Sequence, residues 1–219
     1  MEVLVCVHGL AGSSRWWRPA LDRLRQTREV MLVDLPRRLR PETASQWLAE
    51  RVEEHGGKVD LAAHSLGAVA AAQVAAGRPD LVRRLVLVSP VGVPARRRLP
   101  AYAPALAVAV ARARPSFVPV LALDALRAGP LNLVRGGLYA ISADIRGELG
   151  KVAAPTLLVW GERDGLVPLR LAEEWTRAVP AARLVRLEAA GHVPMFDAPA
   201  ALAAAITEFL DEPRDFARM

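Results

Sequence analysis

The chain has 219 residues, 53% of them hydrophobic, with a formal net charge of +6. That is enough for one sizeable α/β domain burying about 70% of its unfolded surface, and too apolar for a disordered chain. The longest apolar runs, such as LAVAV at 106–110, fall far short of the ~20 residues of a membrane span.

The basic charge is carried by arginine, since Lys58 and Lys151 are the only lysines. The clusters RRLR (Arg37 to Arg40) and RRR (Arg96 to Arg98) lack interleaved aromatics that stack on bases, so no nucleic-acid partner is expected. Cys6 is the only cysteine. That leaves no internal disulfide and makes a reducing cytoplasm the expected compartment. The N-terminus opens on the strand-like MEVLVCV rather than on a signal-peptide pattern.

In chain order, VLVCV predicts a first strand. RWWRPALDRL predicts a helix with Trp17, Leu21 and Leu24 on one face and Ser13 or Ser14 as its cap. VMLVDL is the second strand. PETASQWLAERVEEHGG follows as a helix burying Ala44, Trp47, Leu48 and Val52, with Gly56 as its stop. VDLAA, the helix LGAVAAAQVAA and RLVLVS come next.

From about Val93 to Gly150 no strand pattern appears, only Ala/Leu-rich segments cut by Pro100, Pro104, Pro115, Pro119 and Pro130. A structureless loop of that length is uncommon inside a compact domain. Residues 93–150 are therefore expected to form a small inserted helical cap, with 1–92 and 151–219 as the core. TLLVW, RLAEEWTRAV, ARLVRL and PAALAAAITEFL complete the alternation. The apolar runs are four to six residues long and do not alternate, as in strands buried on both faces. The expected architecture is a mostly parallel, doubly wound α/β sheet of about six strands.

In such a sheet, ligands collect beyond the carboxyl ends of the strands. Ser65 stands there, between VDLAA and a helix, with no loop on either side. Ala63 and Gly67 supply the small residues that so tight a turn requires. A serine hydroxyl needs a base, and the chain has four histidines. His64 neighbours Ser65 in the chain, so its ring should diverge from the hydroxyl. His55 ends a helix at the wrong side of a strand, and His8 organises the first loop. His192, in LEAAGHVPMF beyond the last strand, is the expected base.

A carboxylate must orient that base. Asp60 and Asp80 precede strands, and Asp124 and Asp144 fall in the cap segment. Asp164, in TLLVWGERDGLVP, follows a strand directly, with Glu162 as second choice. After the first strand, Gly9 allows a sharp turn that aims the Leu10 N–H at the serine. With the Leu66 N–H it forms a two-donor oxyanion cradle, one such donor being worth ~3 kcal/mol. No G-x-x-x-x-G-K-[ST] phosphate loop and no Cys/His cluster is present, so neither cofactor nor metal is expected.

The order Ser65, Asp164, His192 resembles the α/β-hydrolase superfamily. The motifs VHGLAGSSRWW, DLP at Asp34, AHSLGA, LVLVSPVG, PTLLVWGERDGLVP and AAGHVPMFDAP extend the resemblance nearly end to end. They look like the capped carboxylesterases. The resemblance implies that Ser65 attacks an acyl carbon, His192 relays the proton, Asp164 orients it, and Leu10 and Leu66 hold the oxyanion. His8, Gly9, His64 and Gly67 support the site.

The chain departs from the pattern in three places. Ala63 stands where glycine is commonest, two strands usual before the HG loop are missing, and RRLRPE replaces the glycine-rich turn after DLP. The apolar cap sequence implies a greasy pocket for short- to medium-chain neutral esters. Thioester, lactone or C–C cleavage and acyl transfer use the same triad. One such alternative is an anionic thioester steered by Arg96 to Arg98, and a silent ligand-binding relative is another.

Overall fold

The computed structural model describes residues 2–36, 40–95, 100, 102–180 and 182–213. Six strands, β1 (Val3–Val7), β2 (Glu29–Val33), β3 (Val59–His64), β4 (Val82–Val88), β5 (Thr156–Gly161) and β6 (Ala182–Leu187), form one sheet in the order β2-β1-β3-β4-β5-β6. Every pairing is parallel. The six are the runs read from the sequence. The central strands β1, β3 and β5 are buried along their length, whereas the edge strands β2 and β6 are only partly covered. Burial on both faces thus holds for the middle of the sheet and not for its rims.

Alternation along β1 assigns its two faces. Leu4 and Cys6 pack toward α1 (Arg18–Leu24) and α10 (Pro199–Asp211). Val3, Val5 and Val7 join α2 (Ala44–Glu53), α3 (Leu66–Gly77) and α8 (Arg170–Ala178) in the second core. Burial raises the Cys6 thiol pKa, which keeps the sulfur protonated and unreactive. At the amino end of the sheet the fully buried Asp60 carboxylate accepts two hydrogen bonds from Arg83, at 2.9 and 2.7 Å. This removes it from the chemistry at the other end, as expected.

Ala44, Leu48 and Val52 are the buried face of α2, and Gly56 closes the turn beyond it at φ 85°. Ser13 and Ser14 do not cap α1. A 3-10 turn, Ser14–Trp17, leads into the helix without a side-chain cap. The Ser13 hydroxyl donates instead to Asp124 at 2.7 Å, and that of Ser14 to Asp34 at 3.1 Å.

Between β4 and β5 the described residues form helices α4 (Tyr102–Ala111), α5 (Val118–Ala128), α6 (Pro130–Ser142) and α7 (Arg146–Leu149), and no strand. Pro119 and Pro130 fall in the first turns of α5 and α6, where a missing N–H costs nothing. Several large apolar side chains of this segment turn outward: Leu106, Leu126, Leu131 and Val134 are all more than half exposed. A short helix, α9 (Pro194–Asp197), precedes α10.

Candidate active site

The strand order reverses between β1 and β3, where β2 lies to one side and β4 to the other. Crevices form at such a switch point. β1 delivers His8 and Gly9 to it, and β3 delivers Ser65. Ser65 sits at φ 51°, ψ −113°, a conformation that side-chain-bearing residues rarely adopt. Its N–H continues the ladder to the Val88 carbonyl at 2.9 Å, so the sheet itself forces the turn. A Cβ on Gly67 would collide with the His8 carbonyl, which is why this place needs glycine.

Asp164 and His192 arrive from the ends of β5 and β6. His192 Nδ1–H donates to Asp164 Oδ2 at 2.9 Å, and Ser65 Oγ–H donates to His192 Nε2 at 3.0 Å. Asp164 is held in turn: its Oδ1 accepts the Leu166 and Val167 N–H groups at 2.9 and 2.8 Å. The three side chains chosen from the sequence form one hydrogen-bonded line. Glu162, the second choice, is exposed, and its N–H bonds the Leu187 carbonyl.

His64 does diverge from the serine, and its ring has a partner that the sequence did not reveal. Its Nε2–H donates to the His192 carbonyl at 2.8 Å. Burial, reinforced by the neighbouring His192, pushes its pKa well below the usual imidazole value and keeps it neutral. His8 also stays neutral, chiefly through burial. It donates from Nδ1 to the Gly9 carbonyl at 2.8 Å and accepts the Leu35 N–H on Nε2 at 3.0 Å, tying the first loop to the end of β2.

Asp197, unlike His64, was not singled out in sequence. Its Oδ2 accepts the Gly191 N–H at 2.8 Å, bracing the loop that carries His192. Burial raises its carboxyl pKa. Only long-range contacts identify these roles, and nothing in local sequence marks them.

Gly9 lies against the Ser65 turn, where an added Cβ would be 2.8 Å from His64 Nδ1 and 3.0 Å from Ser65 Cβ. Leu10 follows directly. Neither the Leu10 nor the Leu66 N–H donates to any described residue, and both residues line a cavity of about 1070 Å³. Its lining combines apolar side chains, Leu35 and Tyr139 among them, with arginines that, Arg40 apart, were not singled out in sequence. Arg15, Arg18, Arg40, Arg127 and Arg135 face the cavity beside Leu10, Leu66 and Leu138. Phe117 is buried outside this lining, packed edge-on to Trp16 at 4.9 Å and against Phe196 at 4.4 Å.

Asp124 fastens α5 to the first loop. Buried in α5, it accepts hydrogen bonds from Ser13 Oγ, from Trp16 Nε1 at 3.0 Å and from the Arg15 guanidinium. On α6, Gly136 lets the Leu10 side chain approach so closely that an added Cβ would make that side chain shift. Arg37, Arg38 and the cluster Arg96 to Arg98 lie outside the described residues.

Residues 4–205 match the alpha/beta hydrolase family, and the chain belongs to it. The family is one of enzymes. The chain is 28% identical to RutD of Pseudomonas savastanoi pv. phaseolicola, assigned as a carbamate hydrolase, with 95% of this chain and 93% of that protein covered. It is also 28% identical to the pimeloyl-[acyl-carrier protein] methyl ester esterase of Yersinia pseudotuberculosis serotype O:1b, again over 95% and 93%. Among solved structures, a thermophilic esterase from Thermogutta terrifontis superposes with a TM-score of 0.80 at 22% identity, covering 96% of this chain and 89% of that one. That likeness is one of fold. Among the described residues no helix is long and apolar enough to cross a membrane.

Proposed function

We propose that this enzyme is a serine carboxylesterase that works through an acyl-enzyme, with Ser65 as nucleophile, His192 as general base and acid, and Asp164 as its orienting carboxylate. The observation that carries this reading is the unbroken line Ser65–His192–Asp164 at 3.0 and 2.9 Å, set on a strained turn beside two unengaged amides. The esterase among its relatives supports the bond type.

In the proposed cycle His192 Nε2 takes the Ser65 proton as Oγ attacks the ester carbon. The oxyanion forms between the Leu10 and Leu66 N–H groups. His192 then gives the proton to the departing alcohol. Water repeats the attack with His192 again as base, and Ser65 leaves protonated as the acid is released. Neither metal nor cofactor enters this cycle. Helices α4 to α7 act as a cap over the substrate, with residues 93–150 inserted in a core of 1–92 and 151–219. The working compartment is the cytoplasm, and the acyl groups are short to medium in length.

Hydrolysis of 4-nitrophenyl acetate, butyrate, octanoate and laurate, with Ser65→Ala alongside, tests the reading. The expected result is turnover that peaks at butyrate or octanoate and is lost in the variant by about 10⁴-fold or more. Full activity in Ser65→Ala removes Ser65 as nucleophile. Absence of turnover on every ester rejects the carboxylesterase assignment and moves the search to thioesters and carbamates.

A further inference from the structure

We propose that the cavity beside Leu10 and Leu66 binds an anionic group, a carboxylate or phosphate, carried by the substrate away from its scissile ester. The inference deepens the esterase reading and rests on it for the position of the reacting carbonyl.

Four exposed arginines from four elements converge on this one cavity: Arg18 from α1, Arg40 from the segment before α2, Arg127 from the last turn of α5 and Arg135 from α6. Among the described residues none of the four makes an ion pair. The fifth, Arg15, is neutralised by the buried Asp124. Two further carboxylates reach the cavity, Asp34 and Glu42, and Asp34 is engaged by the Ser14 hydroxyl. Positive charge therefore exceeds negative around a concave surface, where field lines concentrate.

Guanidinium groups match carboxylate and phosphate oxygens in pairs. An anion bound there gains their field, and Leu66, the residue after Ser65, lines the same cavity. A solvated basic surface would spread such arginines over unrelated faces. Here all four line the one cavity that Leu10 and Leu66 also line.

Two measurements test the proposal. The first titrates the Ser65→Ala chain calorimetrically with glutarate and with inorganic phosphate, at low and at high salt, with and without Arg127→Ala/Arg135→Ala. The second compares kcat/KM within matched pairs. These are 4-nitrophenyl valerate against 4-nitrophenyl hydrogen glutarate, with the charge on the acyl side, and ethyl butyrate against O-butyrylglycolate, with the charge on the alcohol side.

Expected are salt-sensitive binding of at least one anion, lost in the double variant, and a charged-to-neutral preference in one pair. That preference should fall by about tenfold in Arg127→Ala/Arg135→Ala, the worth of two solvent-exposed ion pairs. Which titrant binds separates carboxylate from phosphate chemistry. The proposal is overturned if neither anion binds, if binding survives the double substitution, or if both neutral esters are turned over and neither charged one is preferred. Anion binding with no turnover of any ester leaves the site standing and rejects the esterase reading. Turnover of neutral esters alone does the reverse.

Discussion

Ser65 shows how one residue concentrates the demands of the fold. Its φ of 51° is shared in sign by Ala11 at 54° and Ser89 at 45°, and these are the positive-φ non-glycine residues among those described. All three follow the carboxyl ends of neighbouring strands, so the strain lies where the chemistry is proposed. Such a conformation costs of order 1–3 kcal/mol for a residue with a Cβ. Ser65→Ala keeps the Cβ and the strain, whereas Ser65→Gly removes both. Both variants are expected to be inactive, with the glycine variant about 1 kcal/mol the more stable, the relief being partly offset by glycine's greater freedom in the unfolded chain. For a domain of this size that is a rise in Tm of roughly 2–4 °C over Ser65→Ala. Equal melting temperatures would mean that the turn carries no strain. Ser65, Asp164 and His192 were legible in sequence because each lies just past a strand, and strand runs are local signals. The partners of His64 and Asp197 were not, because a ring that must diverge from Ser65 gives no sign of what it meets.

At the scale of elements, the six strands were legible because short apolar runs separated by helical patterns point to a parallel sheet, although β2 and β6 are its partly covered edges. Helices α1, α2, α3, α8 and α10 followed from apolar spacing. The segment between β4 and β5 was legible only as helical. Its sequence did not indicate that Leu126 and Leu131 would face outward while arginines face the cavity. Nor did sequence reveal the tie between α5 and the first loop, which joins Asp124 to Ser13 and Trp16, more than 100 positions away. This tie makes Asp124 a positioning residue in the proposed mechanism. Asp124→Ala removes three hydrogen bonds and leaves the Arg15 guanidinium without its carboxylate, freeing the loop that carries the Leu10 amide. The expected effect is a fall in kcat of about tenfold or more, since one displaced oxyanion donor is worth up to 10²–10³, with a smaller change in KM. Asp124→Asn keeps one acceptor oxygen, which can serve Ser13 and Trp16 as Oδ2 does, and should recover part of the loss. Equal kcat in wild type and Asp124→Ala, at equal folded fraction, would separate α5 from the oxyanion loop.

The whole molecule is built around two neutral imidazoles at its switch point, and this sets how it responds to acid. His8 and His64 are 4% and 1% exposed. Burial lowers both pKa values from the ordinary 6.5, and for His64 the neighbouring His192 adds to the effect. In the unfolded chain both rings regain that ordinary value. Below it the unfolded chain therefore takes up protons that the folded one refuses, and linkage turns the difference into lost stability as pH falls. Above it both states hold neutral rings and the contribution is fully present. Each ring that stays neutral in the fold contributes a slope of up to about 1.4 kcal/mol per pH unit. His64, whose pKa is lowered furthest, sustains the slope over the wider range. Urea midpoints measured between about pH 7.5 and about pH 5.5 should decline with acidification. In His64→Gln the absolute stability falls, because the ring that braces the His192 carbonyl is lost, yet its pH slope should flatten by close to one proton. A variant slope as steep as the parent's would show that His64 is charged in the fold. It would then be a buried cation, and the neutral bridge from Nε2 to the His192 carbonyl would be the wrong account of how that loop is held.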